Sequence, residues 1–276
     1  MTGRNDTPRV LQTSAERAAA TEENLLALFR DMSVLRGYSR LERPGLTVHH
    51  AWPKNAMFQG AWSSSLPSES TDDIIRDVLS WFAERQSPMQ FWWFNDAVQP
   101  EDLGDRLAQH GFEVNFEGDP AMVGDIAQMP EPTFGPGVKV EVVTDVPGLE
   151  SWGDAFSASY ELPKYLGQSW VDASLDAGPT TSPWQLYLAT IDGVPLGTSM
   201  LYCGAGVAGL FAVGTDPAAR GRGLGAALTL APMRDAGRRG YHHGVLFASP
   251  MGQPIYERLG FRDTGRRIRR YLRTAR

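Results

Sequence analysis

The sequence predicts an α/β (α+β) protein made of two domains in tandem, each a twisted mixed β-sheet flanked by helices. Three observations carry this expectation. Ala208 to Val213 is an apolar run short enough for a buried strand, and a glycine-rich turn joins it to a helix-forming segment, Leu224 to Arg238, that ends at Gly240. After residue 137 the expected order is strand, helix, helix, then three strands, then helix, strand, helix, strand. Finally, Leu107-Ala-Gln-His-Gly-Phe112 closes the first half much as Arg258-Leu-Gly-Phe261 closes the second, which points to an internal repeat.

Composition bounds the class of protein. A chain of 276 residues suits one large domain or two of ordinary size. With 42% hydrophobic and 21% charged residues it reads as soluble and globular. A formal net charge of -6 argues against nucleic-acid binding by general electrostatics. The start, Met1-Thr-Gly-Arg-Asn-Asp, leads into no apolar stretch, and no run reaches membrane-spanning length. The single cysteine, Cys203, rules out an intrachain disulfide and a cysteine metal cage. The expectation is a cytoplasmic protein with neither nucleic acid nor membrane as partner.

Taken in order, residues 1–19 form a polar and flexible start, frayed to about residue 13, and 20–127 a first domain. In it, a helix carries Leu25, Leu26, Leu28 and Phe29, and Leu46 to Trp52 alternates as a strand does. Asn55 to Glu69 reads as a loop. Ser70-Thr-Asp-Asp73 starts a helix with Ile74, Ile75, Val78, Leu79 and Phe82 on one face. Met89 to Phe94 is an aromatic strand. Pro100 suits a first helical position in a helix reaching Gln109. Phe112–Phe116 and Met122–Ile126 read as two closing strands. Residues 128–137, rich in proline and glycine, make a linker.

The second domain spans 138–276. It begins with a strand from Val138 to Val143, followed by helical segments around Glu150–Ser159 and Gln168–Asp176. Strands Trp184–Thr190 and Leu196–Tyr202 are joined by Asp192-Gly193, a tight hairpin signal. The strand, glycine turn and helix at 208–238 come next. A strand from Gly244 to Ser249, a helix around Gln253–Leu259 and an arginine-rich strand from Phe261 complete it.

The glycine turn selects its ligand by residue order. Glycines at a helix N-terminus let unpaired first-turn amides and the helix dipole meet a phosphate. A mononucleotide loop needs Lys-Ser/Thr after its last glycine, but Ala226-Ala227 follow Gly225. A dinucleotide loop needs G-x-G-x-x-G, but Gly221, Gly223 and Gly225 alternate. What remains, Arg220-x-x-Gly223-x-Gly225 after a Val-x-x-x-Pro strand end, resembles the acetyl-coenzyme A pyrophosphate loop of the GNAT superfamily of N-acetyltransferases. Tyr256-Glu-Arg-Leu-Gly-Phe261 is similar to that family's Tyr-x-x-x-Gly-Phe element, in the required order. The element order after residue 137 matches the family fold. The first half, with Gly60-Ala-Trp-Ser-Ser-Ser-Leu-Pro67 before its helix, has no such loop and is expected to be a degenerate GNAT-like domain.

The resemblance implies acyl transfer from acetyl-CoA straight to an amine, with no metal. It gives the amides of Gly221, Arg222, Gly223, Leu224 and Gly225 to the pyrophosphate, with charge from Arg220 and Arg222. It lays Phe211, Ala212 and Val213 beside the pantetheine arm, with the Val213 amide on the thioester carbonyl. Tyr256 would protonate the leaving thiolate. Ser249 stands where many relatives carry an asparagine that touches the cofactor, and serine keeps one donor. The implied partner is a small-molecule amine; a peptide acceptor and a non-catalytic acyl-CoA-binding regulatory module are the alternatives, and a homodimer is compatible. Residues Gly206 to Val213 hold no carboxylate, so the general base is left among Asp154, Glu161, Asp172 and water.

Other features read as structural. His49-His50 and His242-His243 lack further ligands at metal spacing. Pro232 should kink the helix that holds it. Seven arginines after Gly260 form a basic strand face.

Overall fold

A computed structural model describes residues 6–132 and 134–274. In the first half, helix α1 (Ser14–Asp31) precedes strands β1 (Ser39–Arg43), β2 (Leu46–His50) and β3 (Gln59–Ser65). Helix α2 (Thr71–Glu84), strand β4 (Met89–Gln99), helix α3 (Leu103–Gln109) and strand β5 (Glu113–Asp125) follow. The second half opens with β6 (Val138–Val142), α4 (Val146–Ser159) and α5 (Lys164–Ala177). Strands β7 (Trp184–Ile191), β8 (Val194–Gly204) and β9 (Val207–Thr215) come next. The chain ends with α6 (Leu224–Arg238), β10 (His243–Phe247), α7 (Gln253–Arg258) and β11 (Phe261–Thr274).

Several local expectations change. Residues 59–65, read as loop, form strand β3 between β2 and β4. Small residues make this possible: Gly60, Ala61 and Ser63 are buried, and Ser63 accepts from the Trp92 indole at 2.7 Å. The two strands expected at 112–126 are one strand, β5. Helix α3 starts at Leu103, leaving Pro100 in the preceding turn, where its carbonyl accepts from the Leu103 amide. Helices α4 and α5 each start four residues earlier than expected, at an Asp145 cap and after Pro163. Helix α6 continues through Pro232.

The chain divides into two compact units that are not contiguous in sequence. Unit 1 comprises residues 6–28 and Ala121–Gly265; unit 2 comprises Phe29–Pro120 and 266–274. The boundaries therefore differ from a simple cut at 128–137. The reason lies in strand pairing. The end of β5 pairs antiparallel with β10, from Ala121 opposite Phe247 to Asp125 opposite His243. The end of β11 pairs antiparallel with β4, from Ile268 opposite Asn95 to Thr274 opposite Met89. Each half of the chain thus gives the end of its last strand to the unit built mainly from the other.

Unit 1 carries a mixed sheet in the order β5-β10-β9-β8-β7-β6, with α6 packed on β7, β8 and β9 and α4 on β8 and β9. Asp192 (φ 51°) and Gly193 (φ 83°) close the β7–β8 hairpin with two positive φ angles, the geometry of a type I′ turn. The N-terminal segment, expected to be frayed, is held along this unit. The Arg9 amide donates to the Gly206 carbonyl at 3.1 Å, and the Leu11 amide donates to Nε2 of His243 at 2.9 Å. Asp6 accepts from the Gly206 amide and the Tyr241 hydroxyl. Residues 1–5 lie outside the described residues.

Unit 2 carries β1-β2-β3-β4-β11, with α2 and α3 over a core of Val48, Ile75, Trp92, Phe94, Leu107 and Phe112. Its β3-α2-β4 crossover is parallel, as is β9-α6-β10 in unit 1. The two Gly-Phe elements also match. Gly111 and Gly260 end their helices at positive φ, and Phe112 and Phe261 are buried edge-on to Trp92 and Tyr256 respectively. Three arginines of β11 in unit 2 are occupied locally. Arg270 lies over Phe91, Trp93 and Phe116, Arg266 faces Asp96, and Arg273 donates to the His110 carbonyl.

Candidate active site

The glycine turn between β9 and α6 adopts the backbone that its glycines permit. Gly221 (φ 78°) and Gly223 (φ 83°) are left-handed, and a Cβ on either would meet nothing within 4 Å. The open face beside them is where a ligand could approach the main chain. Gly223 stands at the N-cap of α6, and the first helical bond runs from the Ala227 amide to the Gly223 carbonyl. The amides before Ala227 thus have no use within the helix, at its positive dipole end. Arg222 is exposed, with no hydrogen-bond or ion-pair partner among the described residues. Arg220 instead donates to the Ser159 carbonyl at 3.3 Å and lies 3.6 Å from Glu161.

Strand β9 is bulged where Phe211 to Val213 lie. Thr198 pairs with Gly214 and Met200 with Phe211, so Ala212 and Val213 together face the single residue Ser199. Ala212 has φ 52°, a left-handed conformation that a non-glycine residue adopts only when its surroundings enforce it. Two hydroxyls do so. Thr198 Oγ1 donates to the Ala212 carbonyl at 3.0 Å, and Tyr160 donates to the Val213 carbonyl at 3.0 Å. Gly214 has no space for a side chain, because a Cβ there would come 2.7 Å from that of Ser159.

Beyond this bulge the sheet opens. Strands β9 and β10 pair only at Ala208–Gly244 and Gly209–Val245 among the described residues. The edge of β9 from Leu210 onward that faces away from β8 is left without a strand. In unit 2 the corresponding strands stay paired, from Gly60–Phe91 to Ser63–Phe94 and again at Ser65–Gln99. Among its described residues that unit has neither the glycine turn nor the open edge.

Tyr256 and Ser249 are brought together at Gly252, where a Cβ would lie 2.7 Å from the Tyr256 ring and 3.4 Å from Ser249 Oγ. Ser249 accepts from the Gly252 amide at 3.2 Å and so caps the turn into α7. Ile255 on α7 lies 3.5 Å from the Cβ position of Gly225, which sets the tyrosine helix beside the start of α6. Tyr256 is buried against Phe261, its hydroxyl takes no partner among the described residues, and burial pushes its pKa up. The phenol is therefore held in its neutral, proton-bearing form.

The three candidate bases are all engaged. Asp154 pairs with Lys164 at 3.1 Å, Glu161 faces Arg220, and Asp172 accepts from Gln168 at 2.9 Å. Burial pushes the Cys203 thiol up to about 11, which suppresses the nucleophilic thiolate. Among the described residues no cluster of His, Cys, Asp or Glu could hold a metal ion, and no helix is long and apolar enough to cross a membrane. Sequence reasoning missed Thr198 and did not single out Tyr160 for the bulge, since neither lies in a motif.

Residues 182–263 match the family model described as Acetyltransferase (GNAT) domain. No curated protein matches the sequence significantly. Among solved structures, the chain resembles a GCN5-related N-acetyltransferase from Kribbella flavida, with TM-score 0.71 and 19% identity over 94% of this chain and 96% of that one. It is also similar to a GCN5-related N-acetyltransferase from Sphaerobacter thermophilus, with TM-score 0.57 and 18% identity over 95% and 94% of the two chains. A tandem GNAT protein from the clavulanic acid biosynthesis pathway aligns with TM-score 0.54 and 14% identity, covering 97% of this chain and 90% of its own. At these identities the likeness is one of fold.

Proposed function

We propose, from the match of residues 182–263 to the GNAT acetyltransferase domain, that this chain is an acetyl-CoA-dependent N-acetyltransferase acting on a small-molecule amine through unit 1. The observation that carries the proposal is the pairing of an open, bulged β9 edge with a vacant-faced glycine turn on one strand-turn-helix. Residues Gly221 to Gly225 would hold the pyrophosphate by main-chain amides, with Arg222 adding charge. The unpaired edge from Phe211 to Val213 would bond the amides of the pantetheine arm as a missing strand would.

Acetyl-CoA supplies the activated acyl group. The Val213 amide would hold the thioester oxygen as the amine nitrogen bonds to the carbonyl carbon. As the carbon–sulfur bond breaks, Tyr256 would give its proton to sulfur, the amine's surplus proton would leave to water, and Tyr256 would regain a proton from solvent before the next turnover. Water is the preferred acceptor because Asp154, Glu161 and Asp172 already have partners. The lack of a carboxylate from Gly206 to Val213 favours a second reading, an acyl-CoA-binding regulatory module. The free thiol of Cys203 accords with a cytoplasmic protein.

Thiol release from acetyl-CoA with a panel of polyamines, aminoglycosides, amino acids and peptides tests the proposal. Turnover with a small amine supports it. Turnover with peptides alone would indicate a protein acetyltransferase, and tight binding without release would indicate the regulatory module.

A further inference from the structure

The bulge in β9 contains a peptide group that one buried side chain orients. In a trans peptide the carbonyl of residue i and the amide of residue i+1 point in opposite directions. Ala212–Val213 is trans, as the cis bonds of the described chain are Trp52–Pro53 and Gln99–Pro100. The Ala212 carbonyl is turned to Thr198 Oγ1 on β8 at 3.0 Å. The Val213 amide is therefore turned away from Thr198, toward the side of β9 that no strand covers. Thr198 is fully buried, so its hydroxyl has no water to exchange for this acceptor.

We propose that Thr198 is a positioning residue for acyl transfer: its hydroxyl fixes the Ala212–Val213 peptide so that the Val213 amide points at the thioester oxygen. The inference rests on the acetyltransferase reading above. It acts in two ways. The bond holds Ala212 in its left-handed conformation, which a β-strand residue would otherwise leave. It also polarises the peptide, since a carbonyl that accepts a hydrogen bond makes the amide of the same peptide a stronger donor. Tyr160 holds the next carbonyl, that of Val213, from the C-terminal end of α4, so the bulge is clamped at two consecutive peptides.

The test is isotope-edited infrared spectroscopy of carbonyl-13C acetyl-CoA bound to the full chain, which needs no acceptor amine. With the native protein, the thioester carbonyl band is expected at lower frequency than in free acetyl-CoA. In Thr198→Val, which keeps shape and loses the hydroxyl, most of that shift should vanish while the dissociation constant changes less than about twofold. Thr198→Ser should restore the shift. Once an acceptor is known, kcat in Thr198→Val should fall about tenfold, less than the 10²–10³ for deleting an oxyanion donor, with KM for acetyl-CoA unchanged. Should Thr198→Val fail to fold, Thr198→Ala removes the same hydroxyl without the branched methyl. An unchanged band in the folded variant overturns the role of Thr198 and leaves the enzyme reading intact. Failure of the native protein to bind acetyl-CoA overturns both.

Discussion

The guanidinium of Arg220 donates to the Ser159 carbonyl at 3.3 Å, tying the glycine turn to the last residue of α4. The neighbouring residue, Tyr160, ties the same helix end to the bulge at Val213. One helix terminus therefore braces both halves of the proposed donor site. Arg220 works partly as a strut, and Arg222, exposed and unpartnered among the described residues, is the freer charge for a phosphate.

Gly223→Ala should separate binding from stability. Its φ of 83° costs an L-residue roughly 1–2 kcal/mol, and the added methyl meets no protein atom within 4 Å. Melting should shift by only a few degrees. The methyl projects into the open face of the turn, so the acetyl-CoA dissociation constant should rise at least about tenfold, or ~1.4 kcal/mol. Calorimetric titration beside a thermal melt reads both quantities. Unimpaired binding would remove the turn from the donor site.

Tyr256→Phe keeps the ring against Phe261 and removes the phenol. If the phenol protonates the thiolate, kcat should fall about 10²-fold or more while acetyl-CoA affinity stays within about twofold. Steady-state kinetics with the best amine from the panel, alongside titration, decides. Equal losses in turnover and affinity would assign Tyr256 to packing.

His49 makes unit 2 sensitive to acid. It is buried in a stack with Phe29 at 4.0 Å, and burial, with the neighbouring charge of His50, lowers its pKa to about 3. The unfolded chain takes up this proton near pH 6.5, whereas the folded chain resists until about pH 3. More protons bound in the unfolded state means that stability rises with pH across this interval and is lost as pH falls. The expected loss is up to about 1.4 kcal/mol per pH unit. His49→Phe should flatten the decline, measured as melting temperature between neutral pH and the acid end of that interval. An identical decline in native protein and variant would show that His49 stays solvated.

Much of the fold was legible where signals were local. The Asp192-Gly193 hairpin, the turn at Gly221–Gly225 and the helix ending before Phe261 follow from residues close in sequence. Strand β3 was hidden because Gly60 and the run Ser63–Ser65 carry the composition of a loop, and only pairing with β2 and β4 makes them strand. The exchange of terminal strands was invisible for a related reason: Ala121–Asp125 and Ile268–Thr274 find partners far away in sequence. At the site, the motif located Arg220–Gly225 and Tyr256, but the left-handed Ala212 is an alanine, with no sequence mark of its conformation. Thr198 and Tyr160 act through single hydroxyls at Ala212 and Val213, a relation that depends on the bulge itself.

The central claim is that unit 1 grips acetyl-CoA through the turn that Arg220 and Arg222 flank. Isothermal titration of acetyl-CoA into the native chain and into Arg220→Ala/Arg222→Ala tests it most directly. One site per chain is expected, with affinity falling at least about tenfold in the variant, or ~1.4 kcal/mol. No binding to the native protein, or equal binding to both, would contradict it.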